Sequence, residues 1–147
     1  MNNKLINLAF GSNAGLAPLL LRLPLGLILS AHGAQKLFGW FGGYGLEATG
    51  NWMASIGFQP GLLMAFLAGS AEFFGGLALA LGLLTRPAAI VAAFTMAMAM
   101  TVHIGNGLFI NNSGYEFALI LLAATSYLAV IGGGRASIDQ LVSKKFA

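Results

Sequence analysis

Four apolar segments occupy most of this 147-residue chain, at 17–38, 61–84, 87–105 and 115–131. A helix advances ~1.5 Å per residue, so about 20 mostly apolar residues carry it across a bilayer. In hydrocarbon the backbone must satisfy its own polar groups, and a helix does so within one segment. The expected architecture is therefore all-α: an integral membrane four-helix bundle, one membrane domain over residues 1–147, with its longest connection an outer loop at 39–60. Composition agrees, since charged residues make up 7% of the chain, against ~25% in a soluble domain.

Lysine and arginine set the expected orientation, because they concentrate in short cytoplasmic loops. Lys4 and Arg22 flank the start of the first segment, Arg86 sits between the second and third, and Arg135, Lys144 and Lys145 follow the fourth. The opposite side holds Lys36, Glu47 and Glu116. N- and C-termini are both expected in the cytoplasm. The net charge of +3 reads as this anchoring bias, and no nucleic acid partner is expected, because no basic cluster has interleaved aromatics. A cleaved signal peptide fits poorly, as the residues before the first apolar run carry only Lys4. With no cysteine, disulfides, thiolate catalysis and cysteine-held metals are excluded, so redox chemistry needs a bound cofactor or a partner.

Glu72 is the only charge between Leu62 and Leu84. A carboxylate at mid-bilayer costs about 2.5 kcal/mol or more, so it needs a partner, a proton or a task. Ala65, Ala68, Gly69, Glu72, Gly75 and Gly76 fall on one helical stripe, and small residues at that spacing let two helices approach closely. Glu72 is thus expected to face the interior. On the first segment Arg22, Gly26, Leu29, Gly33 and Lys36 share a side with His32 just off it. Arg22 lies roughly 8 Å to one side of the midplane and His32 about 7 Å to the other; either could reach Glu72. An Arg22–Glu72 ion pair is the plain structural reading, and a proton or ligand role for the acid is the functional one. Ala89, Ala92, Met96, Ala99 and His103 align on the third segment, and Glu116, Ile120, Ala123 and Tyr127 on the fourth. His32 and His103 suit proton transfer near neutral pH, although a lone histidine is more often simply hydrogen-bonded. Lys36 and Glu116 could equally reach lipid headgroups.

Other features read more plainly. Trp40, Phe41, Tyr44 and Trp52 suit an interfacial aromatic belt around an amphipathic stretch at Leu46–Ile56, and Ser137–Phe146 reads as a short amphipathic tail. Met96, Met100 and His103 invite Cu(I), but methionine is commonly adaptable core filler; no metal site is expected. A faint repeat pairs His32, Leu37 and Phe38 with His103, Leu108 and Phe109.

Arg22-Leu-x-Leu-Gly26, His32-Gly33-x-x-Lys36, Glu72-x-x-Gly75-Gly76, Gly82-Leu-Leu-Thr-Arg86 and Gly114-Tyr115-Glu116 occur in that order. Over about Leu20 to Leu141 the chain resembles the DoxX family. The resemblance implies a bacterial plasma (inner) membrane protein of four helices. Relatives include a subunit of an archaeal thiosulfate:quinone oxidoreductase, proteins tied to quinone or catechol stress, and proteins that associate with soluble redox enzymes.

The leading expectation is a component of a quinone-linked oxidoreductase system in the lipid bilayer. A quinone would sit beside Glu72, His32 and His103 as the catalytic, proton-carrying groups, with Arg22, Lys36, Tyr115 and Glu116 as ligand-binding residues. No other cofactor is assigned. The main alternative is a non-catalytic membrane anchor or scaffold for a soluble redox partner. A small-solute transporter is a further one, and four spans could form its path only as a homo-oligomer.

Overall fold

The structure, a computed structural model, describes residues 10–12 and 14–146; Lys4, used above for orientation, lies outside them. Helix α1 (Ala17–Phe38) has a proline in its first turn, where a missing N–H removes no intrahelical bond. It ends at Gly39, whose φ of 71° is easy only for glycine. After a 3₁₀ turn at Trp40–Gly42, α2 (Gly45–Ser55) forms the expected amphipathic helix. Trp40, Phe41, Tyr44 and Trp52 are all exposed, as an interfacial belt requires.

Helix α3 (Gly61–Leu81) stops three residues before the expected boundary. Gly82 turns left-handed at φ 67°, and the Leu83 N–H closes back on the Ala78 carbonyl. Helix α4 (Thr85–His103) then starts two residues early. Two 3₁₀ turns, Ile104–Asn106 and Ile110–Asn112, lead to α5 (Glu116–Ile131), and α6 (Ile138–Phe146) is the short tail helix. Ser137 caps α6, its Oγ accepting from the Gln140 N–H at 3.2 Å. No strand occurs among the described residues. Helices α1 and α3, and the α4 helix with its following turn (Thr85–Asn106), are long and apolar enough to cross a membrane; α5 is apolar but has 16 residues.

Helix α1 packs antiparallel on α3, α4 packs on α5, and the α3–α4 turn joins the two pairs. Leu25, Leu29, Leu79, Ala89, Ala92, Met96, Leu121 and Leu128 form the shared core. The face expected for the fourth segment is corrected. Ile120 is 65% and Tyr127 49% exposed, whereas Ala118, Leu121, Thr125 and Leu128 are buried. A helix apolar on nearly every side offers little contrast from which to choose its inner face, and Glu116, which suggested the phase, turns toward the preceding loop. The faint repeat shares residues but not conformation, because His32–Phe38 is helical while α4 ends at His103.

Candidate functional site

Glycines bring α1 and α3 together. A Cβ on Gly33 would lie 2.3 Å from the Phe73 nitrogen, and one on Gly76 would lie 2.6 Å from both the Gly26 carbonyl and Ser30 Oγ. At this distance Lys36, opposite Gly69, reaches along the seam to Glu72. Its Nζ donates to Glu72 Oε2 at 2.5 Å, with the lysine side chain 26% exposed and the glutamate 4%. Lys36 is the only hydrogen-bond partner of Glu72 among the described residues. It therefore turns inward here, where the sequence also allowed a reach to headgroups.

The expected Arg22–Glu72 pair does not form. Arg22 lies opposite the last turn of α3, about two turns from Glu72, and serves backbone carbonyls instead. Its Nε donates to the Gly133 carbonyl at 3.2 Å, one Nη to those of Leu79 and Ala80, and the other Nη to that of Ala136. The final carbonyls of a helix lack intrahelical partners. A five-donor guanidinium fork serves several at once, so this buried cation is satisfied without a carboxylate at hydrogen-bonding distance.

Sequence reasoning missed Asp139. It is 1% exposed, and its carboxylate accepts from the Leu84 N–H at 2.6 Å and the Thr85 N–H at 2.8 Å. It thereby caps α4, which explains that helix's early start. The available signal was only that it is the chain's single aspartate, and it reads there as an acid in the first turn of its own helix. Its structural partner is more than fifty positions away.

Near the far end of α1, the helices leave a cavity of about 310 Å³. Glu72, Lys36, His32 and His103 all line it, with Leu29, Met96, Phe117 and Leu121 supplying apolar wall. The His32 ring centroid lies 5.5 Å from that of Phe117. His103 Nδ1 is 2.9 Å from the Ser113 carbonyl. Part of the α4–α5 connection, including Ile110, Ser113 and Gly114, closes one side.

Four of the seven residues singled out from sequence thus meet at one cavity, and Arg22, Tyr115 and Glu116 do not line it. Glu116 accepts the Ile110 N–H at 2.6 Å, and the Tyr115 N–H donates to the Gly107 carbonyl at 3.1 Å. These bonds fold the connection, whose Ile110, Ser113 and Gly114 line the cavity, back on itself. Met96 lines the cavity, whereas Met98 is 37% exposed and faces away. Phe117 was not anticipated; nothing in the sequence distinguishes it from other apolar residues of α5.

An all-helical, multi-pass membrane protein with a partly buried ion pair beside a small cavity is the class these features define. A family model for DoxX matches residues 17–104, and the chain belongs to the DoxX family. It is 31% identical over 126 residues to a Bacillus subtilis (strain 168) protein named "Putative oxidoreductase CatD", covering 86% of this chain and 87% of that one. It is 33% identical over 109 residues to the inner membrane protein YqjF of Escherichia coli (strain K12), covering 74% and 82% respectively. No solved structure matches it significantly. The family and the apolar helices make this a multi-pass protein of the bacterial plasma membrane.

Proposed function

We propose that this chain is the membrane component of a quinone-linked redox system, and that the cavity beside Glu72 receives a quinone headgroup from the bilayer. In this reading α1, α3, α4 and α5 all cross the membrane, both termini lie in the cytoplasm, and the cavity occupies the outer half. Sixteen residues of α5 span roughly 24 Å, short of a ~30 Å hydrocarbon core. The buried Gly132–Gly134 stretch continues its path, and Arg22 satisfies the Gly133 carbonyl, so this non-helical backbone lies inside protein, the setting in which it is tolerated at depth.

One observation carries the reading: a buried carboxylate paired with a half-buried ammonium, and two imidazoles, converge on a mostly apolar cavity large enough for a ring. Lys36 has protons left to donate to a ring oxygen, and His32 and His103 can carry protons between the ring and the surface. A relative's oxidoreductase name supports the redox assignment. Purified protein titrated with ubiquinone and menaquinone analogues, in oxidised and reduced forms, is expected to show saturable binding altered by Glu72→Gln. Absence of saturable binding in every arm refutes the reading.

A non-catalytic anchor for a soluble redox partner is the second reading, favoured by α6. That helix is fixed through Asp139 and presents exposed Leu141, Lys144 and Lys145. Affinity capture from native membranes that yields no stable partner counts against it.

A further inference from the structure

We propose that the cavity discriminates by redox state: it binds an aromatic diol, the reduced form of its ring ligand, more tightly than the corresponding dione. This rests on the quinone-linked reading and extends it to which form the site retains.

The inference follows from counting donors and acceptors on the walls. Lys36 commits one proton to Glu72 Oε2 and keeps the others for a ligand. Glu72 Oε1 has no hydrogen-bond partner among the described residues, and a carboxylate oxygen only accepts. The Ser113 carbonyl beside His103 also only accepts, so in the neutral ring Nδ1 carries the proton. Nε2 is then a lone-pair acceptor. His32, with no hydrogen bond among the described residues, offers one donor and one acceptor in either tautomer and so favours neither form. The Ser113 hydroxyl, also on the wall, can donate or accept and so favours neither form, and the remaining wall is apolar.

A dione can accept from Lys36 but has nothing to donate. Its carbonyl lone pairs leave Glu72 Oε1 and His103 Nε2 unpaired once the ring displaces water. A diol donates one proton from each hydroxyl and still accepts from Lys36. An acceptor left buried without a donor weakens binding by roughly tenfold or more, which sets the expected preference. Each tenfold preference for the reduced form raises the midpoint potential of the bound two-electron couple by about 30 mV.

The test is an anaerobic titration of the full chain in nanodiscs with decylubiquinol against decylubiquinone, and with tail-less hydroquinone against benzoquinone. The diol is expected to bind at least about tenfold more tightly than the dione in both pairs. Equal affinities, or a tighter dione, overturn this inference and leave the quinone-linked reading standing. Saturable binding of neither form overturns both. A preference confined to the tailed pair overturns its assignment to the ring hydroxyls, while the tail's contribution to affinity separates a lipid-borne diol from a water-borne one. Glu72→Gln puts an amide able to donate where the carboxylate only accepts, and is expected to cut the preference to about threefold or less. An unchanged preference in a folded Glu72→Gln protein overturns the role given to Oε1. The wild-type comparison stands even if that variant fails to fold.

Discussion

Glu72 stands out in sequence because one charge in a long apolar run demands compensation. Its partner does not, because Arg22, His32 and Lys36 all point from α1 toward the interior and all have reach. The axial offset between the two helices decides: Lys36 Cβ lies close to where a Cβ of Gly69 would be, one turn from Glu72, whereas Arg22 faces the end of α3. Removing Lys36 leaves the buried Glu72 carboxylate uncompensated, at a cost of up to about 3 kcal/mol because the lysine side is partly exposed. Lys36→Met is therefore expected to lower the melting temperature of detergent-solubilised protein clearly, and adding Glu72→Gln should restore part of the loss. Additive losses in that double-mutant cycle would show that the pair is not coupled. Glu72→Lys is expected to block stable assembly because it sets a second ammonium against Lys36; normal yield of that variant would contradict the pairing.

At the scale of elements, periodicity located the helices and the small-residue seam but blurred their ends and, on α5, the inner face. Two adjacent glycines distinguish seam from spacer. A Cβ on Gly76 would meet the α1 backbone, while one on Gly75 has only the Ala88 carbonyl within 4 Å, at 3.9 Å. Overpacking typically costs about 1–3 kcal/mol, whereas glycine to alanine within a helix gains up to ~1 kcal/mol. Gly76→Ala is accordingly expected to destabilise by at least ~1 kcal/mol, and Gly75→Ala to be neutral or stabilising. Thermal melts of the two variants compare them directly, and similar values would refute the seam. Helix ends were misplaced where a distant side chain or a local left-handed turn set them. Asp139 draws the start of α4 back to Thr85, and Gly82 ends α3 before the apolar run does.

Across the whole molecule, Arg22 and Asp139 tie the end of α3, the start of α4, the Gly132–Ser137 stretch and α6 into one knot. Asp139→Ala leaves two N–H groups uncapped, a loss of about 1–2 kcal/mol. It is also expected to speed proteolysis between 132 and 138, and an unchanged cleavage rate would show that α6 is held by other contacts. The absence of cysteine makes topology directly measurable. In intact cells a single cysteine at Gly107 should react with an impermeant maleimide and one at Ser143 should not; equal labelling would sink the four-crossing arrangement. Sequence alone determined the helical membrane class, the family and the inward burial of Glu72, because chain length, apolar runs and an isolated charge are local quantities that the bilayer reads directly. Only tertiary structure decided that Lys36 rather than Arg22 answers Glu72, that His32 and His103 share its cavity, and that Asp139 closes the opposite end. Those outcomes depend on how far antiparallel helices slide and turn against one another, and glycine contacts between distant segments set that register.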